Sequence, residues 1–177
     1  MIMCELDFCK KVKFFCFFAL ILIIVAVIIF LGINVPDMQK DIFVAVARTG
    51  DNTAVGNAII NFSENQIEEG NAISHTPGTS EIMINDDGIY QISYQLTGVD
   101  QTVSRFNFNA ILLVNGVPQQ DTLNEGAVLT EDIVNNRYTL TATVILRLSA
   151  GDTLQLGALS LEDVTYPNAR IDIEKIG

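Results

Sequence analysis

Apolar residues are distributed along this chain in two different ways. From Phe14 to Asn34 they form one uncharged run, FFCFFALILIIVAVIIFLGIN. Beyond Val35 they come in short runs that alternate with polar residues. A helix rising about 1.5 Å per residue needs roughly 20 apolar residues to cross a hydrocarbon core about 30 Å thick. The first run therefore predicts a transmembrane helix over 14–34, because a helix buried in a globular core would be shorter or keep a polar stripe.

The second pattern has period two, which places alternate side chains on opposite faces of a sheet. Tyr90, Ile92, Tyr94 and Leu96 share one face, with Gln91, Ser93 and Gln95 on the other. Phe106, Phe108, Ala110, Leu112 and Val114 repeat the pattern. So does the run from Tyr138 to Leu148, where Leu140, Ala142, Val144 and Leu146 oppose Thr139, Thr141 and Thr143. Further strand-like runs lie at Ile42 to Ala47, Ala58 to Phe62, Glu81 to Ile84, Thr153 to Leu159 and Arg170 to Ile176. Asp86-Asp87-Gly88, Asn115-Gly116, Asn135-Asn136 and Ala150-Gly151-Asp152 punctuate them with residues suited to turns. Asn115-Gly116 is the strongest hairpin signal. No segment beyond the first run gives a persuasive amphipathic helix. The expected fold is all-β: a two-sheet antiparallel sandwich or jelly roll of eight to ten strands, preceded by one transmembrane helix.

Charge orients this arrangement. Lys10, Lys11 and Lys13 precede the apolar run, which predicts a cytoplasmic tail over 1–13 and an exported domain over 35–177. The run is longer than the core of a cleavable signal peptide and ends without an Ala-x-Ala site, so it reads as an uncleaved signal anchor. Only a few residues, with Pro36 among them, separate the anchor from the first strand. Residues 35–177 carry 19 Asp and Glu against 7 Lys and Arg. That balance of -12 repels phosphate backbones and excludes nucleic acid as a partner. Cys4, Cys9 and Cys16 all precede the exported domain, which must therefore build its core without disulfides.

Four separated motifs carry a family resemblance. They are Gly88-Ile89-Tyr90-Gln91-Ile92-Ser93-Tyr94, Leu112 to Pro118 around Asn115-Gly116, Leu148 to Leu154 around Gly151-Asp152, and the terminal Ile171 to Ile176. The opening Phe43 to Gly50 is similar to the first strand of C1q-type domains. In this order and spacing they resemble the C-terminal domain of bacterial collagen-like glycoproteins of the spore exosporium, within the C1q and tumour-necrosis-factor-like group. The resemblance implies a ten-strand jelly roll that forms a homotrimer for display, adhesion or recognition. It also implies structural roles for Gly88, Tyr90, Ile92, Tyr94, Asn115, Gly116, Gly151 and Asp152. The chain departs from the family in having an anchor in place of a collagen stalk.

Strands apolar on both faces need a second cover. Ile111, Leu113 and Ile145 are accordingly expected on outer faces, covered by a neighbouring subunit as trimer contacts or else by an intrachain loop. Signs of catalysis are sparse. The chain has no G-x-S-x-G, P-loop, G-x-G-x-x-G or H-E-x-x-H motif, and the expectation is a protein that is not an enzyme. The lone histidine, His75, reads as a solvated loop residue and no metal is assigned to it. Asp86-Asp87-Gly88 could pair on calcium but reads better as a turn, and Glu68-Glu69 and Glu131-Asp132 read as solvated charges. No cofactor is expected. Asn61-Phe62-Ser63 is a formal glycosylation sequon. The partners expected are further copies of the chain, the membrane through 14–34, and an extracellular protein or glycan. A cytokine-like ligand and a jelly-roll carbohydrate-active enzyme are the alternatives.

Overall fold

The computed structural model describes residues 41–48, 57–99, 105–129, 137–161 and 164–177. The tail at 1–13, the run at 14–34 and Glu131-Asp132 lie outside the described residues. Among the described residues, no helix is long and apolar enough to cross a membrane.

Two antiparallel sheets enclose a single core. The first contains β1 (Ile42–Ala47), β3 (Glu64–Glu69), β6 (Gly88–Val99), β10 (Arg137–Leu148) and β12 (Thr165–Lys175), in the order β10-β6-β12-β1-β3. The second runs β4 (Ile73–His75), β5 (Ile82–Ile84), β11 (Thr153–Leu159), β7 (Arg105–Val114) and β8 (Val117–Pro118). In it, β2 (Ala58–Ile59) also pairs with β11, and β9 (Asn124–Leu129) also pairs with β7. This is the all-β two-sheet arrangement that the alternation predicts.

Each predicted inward face forms part of the core. Tyr90, Ile92, Tyr94 and Leu96 of β6 are buried against Phe108, Ala110 and Leu112 of β7. Burying one such side chain is worth about 1.5–3 kcal/mol, so the alternation of β6 alone commits it to one face. On β10 the pattern is weaker. Leu140 and Leu148 are buried, whereas Ala142, Val144 and Leu146 only pack against the core's margin. The reason is position: β10 ends the five-stranded sheet, hydrogen-bonded only to β6.

Strands that the apolar pattern missed are edge or short strands. β3 reads ENQIEE and is almost wholly exposed, so no alternation marks it. In β9, the place of Gly126 is enforced from the first sheet: a Cβ there would come within 2.6 Å of Tyr138 and Leu140. β12 starts five residues earlier than expected, running through Pro167. The pairing with β6 shifts register between Thr165 and Asn168, so the proline's missing N–H costs no regular ladder bond.

Candidate functional site

At the end of the sandwich where the chain enters, three turns are tied into one corner. The Asn115-Gly116 turn between β7 and β8 has both residues at positive φ, 52° and 76°. This is the geometry that favours Asn-Gly in tight hairpins. The Asn115 side chain then reaches the neighbouring turn. Its Nδ2 donates to Asp152 Oδ1 (2.7 Å), and its Oδ1 accepts from the Thr153 N–H (2.9 Å). Asp152 Oδ2 accepts from the Ser149 N–H (2.8 Å). These donors hold the Asp152 carboxyl below its ordinary pKa, the Ser149 N–H contributing most. The third turn joins through Asp87, whose Oδ1 accepts from the Ala150 N–H (2.8 Å), and through the Gly151 N–H, which donates to the Ile84 carbonyl (2.8 Å).

Tyr90 near the start of β6 and Tyr94 at its middle anchor its inward face. Tyr90 donates to the Asp86 carbonyl and Tyr94 to the Thr122 carbonyl, each at 2.7 Å. Burial pushes both phenols up to about 12, and Asp86, Asp41 and Asp87 add to the effect on Tyr90. The buried Thr122, which no sequence pattern marked, accepts from the Leu112 N–H and donates to the Gln119 carbonyl.

His75 overturns its sequence reading. It lies in β4, is 9% exposed, and its ring stands edge-on to Phe43 and Phe62. Its Nδ1 lies 2.6 Å from Asn65 Oδ1 and its Nε2 3.1 Å from the Thr79 carbonyl. Asn65 Nδ2 donates to the His75 carbonyl (2.9 Å), so the pair staples edge strand β3 of one sheet to edge strand β4 of the other. A lone polar residue in a Thr/Pro/Gly-rich stretch looks like a loop; the two flanking aromatics come from distant segments. His75 also borders a cleft of about 420 Å³ with Ser74, Thr76, Thr79, Ser80, Glu81 and Met83. The composition suggests acid–base chemistry, but the geometry does not. Both ring nitrogens are occupied, and the Ser74 hydroxyl faces Asn85 (3.4 Å).

A second cleft, of about 200 Å³, opens among Asn57, Asn107, Asn109, Leu159, Ser160 and Leu161, over Phe108. Elsewhere, the outer face of β6 and β10 carries a hydroxyl and amide surface. Ser93 and Thr143 are hydrogen-bonded at 2.8 Å, Thr97 and Thr139 at 3.0 Å. No Asp or Glu occurs in either strand.

No known family model matches the chain, and no curated protein matches its sequence. Solved structures do match. The globular domain of zebrafish complement 1qA aligns with a TM-score of 0.54 at 12% identity, covering 78% of this chain and 98% of that one. Murine APRIL aligns with a TM-score of 0.50, at 11% identity in its pH 8.0 crystal and 12% at pH 5.0, covering 76% of this chain and 99% of that one. The fold is a C1q/TNF-like jelly roll.

Within the C1q/TNF-like jelly roll, the eight motif residues fall in two places. Gly88, Tyr90, Ile92 and Tyr94 lie on β6, and Asn115, Gly116, Gly151 and Asp152 build the corner. A Cβ on Gly88 would come within 2.7 Å of the Gly177 carbonyl and the Lys175 side chain, so the C-terminal segment crosses against it. The three residues expected on outer faces lie on different sheets. Ile111 and Leu113 lie on β7 of the second sheet and are 2% and 9% exposed within the single chain, so the chain itself supplies most of their cover. They lean over Gly157, where a Cβ would come within 2.9 Å of Leu113 and 3.3 Å of Ile111. Ile145, on β10 of the first sheet, is 61% exposed. Asn61 is exposed. Asp86 and Asp87 contact Lys175 and the Ala150 N–H respectively, as a turn requires. Among the described residues no three His, Cys, Asp or Glu side chains group as metal ligands.

Proposed function

We propose that the chain is a membrane-anchored homotrimer that displays its jelly roll outside the cell for adhesion or recognition, without catalysis. The observation that carries the reading is the β10 end of the first sheet. Its inward residues Ala142, Val144 and Leu146 are only half covered, Ile145 stands 61% exposed, and β6 and β10 together contain no acidic residue. In a domain with a balance of -12, this is the surface that a second copy approaches with least repulsion. The far end of the same sheet, β3, carries exposed Glu64, Glu68 and Glu69, complementary to Arg137 and Arg147 of β10. A contact between one copy's β10 and the next copy's β3 is head-to-tail, and such contacts close into a ring at the right rotation.

The anchor is the run at 14–34, and the lysines before it support a cytoplasmic N-terminus. The likeness to APRIL favours a second reading, a cytokine-like ligand. Light scattering on residues 35–177, with and without a chelator, tests the assembly. A chelator-resistant mass of three chains is expected; a monomer at all concentrations would sink the trimer.

A further inference from the structure

We propose that the cleft between Asn107, Asn109 and Leu161 binds one uncharged sugar ring of a glycan, an inference that rests on the display reading and supplies its ligand class. Asn107 and Asn109 are two residues apart on β7, so both carboxamides project from the same outer face. Neither amide has an intramolecular partner among the described residues. The third carboxamide, on Asn57, accepts from the Ser160 N–H through its Oδ1 (3.0 Å), leaving its Nδ2 available. The Ser160 hydroxyl donates to the Asn107 carbonyl (2.8 Å), fixing the turn that carries Leu161. Leu159 and Leu161, 40% and 97% exposed, supply an apolar rim.

The chemistry of this lining selects its occupant. Each carboxamide presents a donor beside an acceptor, the complement of a hydroxyl, which is also both. The leucines offer a surface to the C–H face of a pyranose. Among the described residues no charged side chain lines the cleft, and Glu125 lies opposite Asn109 in the β7–β9 ladder, so anionic ligands are disfavoured. A peptide strand would need free backbone groups. β7 has none here, because Asn109 pairs with Glu125 on one side and Leu159 on the other. The volume of about 200 Å³ is below the roughly 300–1,000 Å³ typical for drug-sized ligands and suits a single ring.

Position agrees with display. The Lys175 N–H donates to the Asp41 carbonyl, which marks the end where the chain enters. β11 leaves that end at Thr153 and reaches the cleft at Leu159, about 20 Å away at roughly 3.3 Å per residue. The cleft therefore opens at the end opposite the entry.

The test is saturation-transfer NMR on the full chain in detergent micelles. The probes are methyl glycosides of glucose, galactose and N-acetylglucosamine, with sialyllactose as the charged control, and the sample's mass is measured in parallel. At least one neutral glycoside is expected to bind in the millimolar range, and Asn107→Ala with Asn109→Ala should weaken it about tenfold. Leu161→Asp, at a position too exposed to affect folding, should also weaken it. No signal from any neutral glycoside, or a signal unchanged in both variants, overturns the proposal even if the trimer is intact. Sugar binding by a monomer would sustain the cleft and refute the trimer.

Discussion

Asn115 and Asp152, 37 residues apart in sequence, are joined side chain to side chain at 2.7 Å, and each also holds a backbone N–H of the turn between β10 and β11. The hairpin turn of one strand pair thus sets the position of another turn. Removing either side chain takes a partner from the other and from the backbone N–H it holds.

Asn115→Ala should cost about 1–3 kcal/mol, from the lost bonds and from the positive φ that Ala tolerates less well than Asn. Urea denaturation at neutral pH measures it. A loss below a few tenths of a kcal/mol would mean that the corner is solvated and contributes nothing to the fold.

The same corner has a pH signature. The folded-state pKa of Asp152 is lowered, so its contribution is present above the unfolded value of 3.8 and is lost as pH falls through the folded value. Asp152→Asn should therefore flatten the stability profile below about pH 4. Denaturation of both proteins between neutral pH and about pH 2 compares the slopes; parallel profiles would contradict the assignment.

At the alkaline end the tyrosines take over. Tyr90 and Tyr94 have folded-state values raised from 10.0 to about 12, so their contribution is full below 10 and lost as pH rises towards 12. Tyr94→Phe should cost about 1–2 kcal/mol at neutral pH, because the Thr122 carbonyl loses its donor, and should reduce the alkaline loss. Tyrosinate absorbance followed alongside unfolding checks both effects.

His75→Ala should cost about 3 kcal/mol, combining lost aromatic packing with an unpaired Asn65 amide. Hydrogen exchange should show the loss concentrated in β3 and β4, the strands that His75 and Asn65 staple. Uniform acceleration across both sheets would show that the staple is not local.

If the proposed trimer packs through β10, Ile145→Glu should separate it into monomers while leaving the fold intact, since the side chain is 61% exposed in the single chain. Light scattering and circular dichroism together decide it. An unchanged trimer would move the interface away from β10.

Much of this protein was legible in its sequence because it depends on local geometry. Period-two alternation marked β6, β7 and β10 almost to their ends, and Asn115-Gly116 marked a turn whose backbone needs positive φ. An uncharged run at 14–34 is likewise a local property, set by length and composition alone. What only the tertiary structure decided lies between segments. His75 looks solvated until β1 brings Phe43, and the segment between β2 and β3 brings Phe62, against its ring, and β3 brings Asn65 to its nitrogen. Ile111 and Leu113 look exposed until β11 brings Gly157 beneath them. Asn107, Asn109 and Leu161 become one cleft only when β7 and β11 pair. Burial and shared sites depend on contacts between residues distant in sequence, and no periodicity along one strand encodes its neighbours.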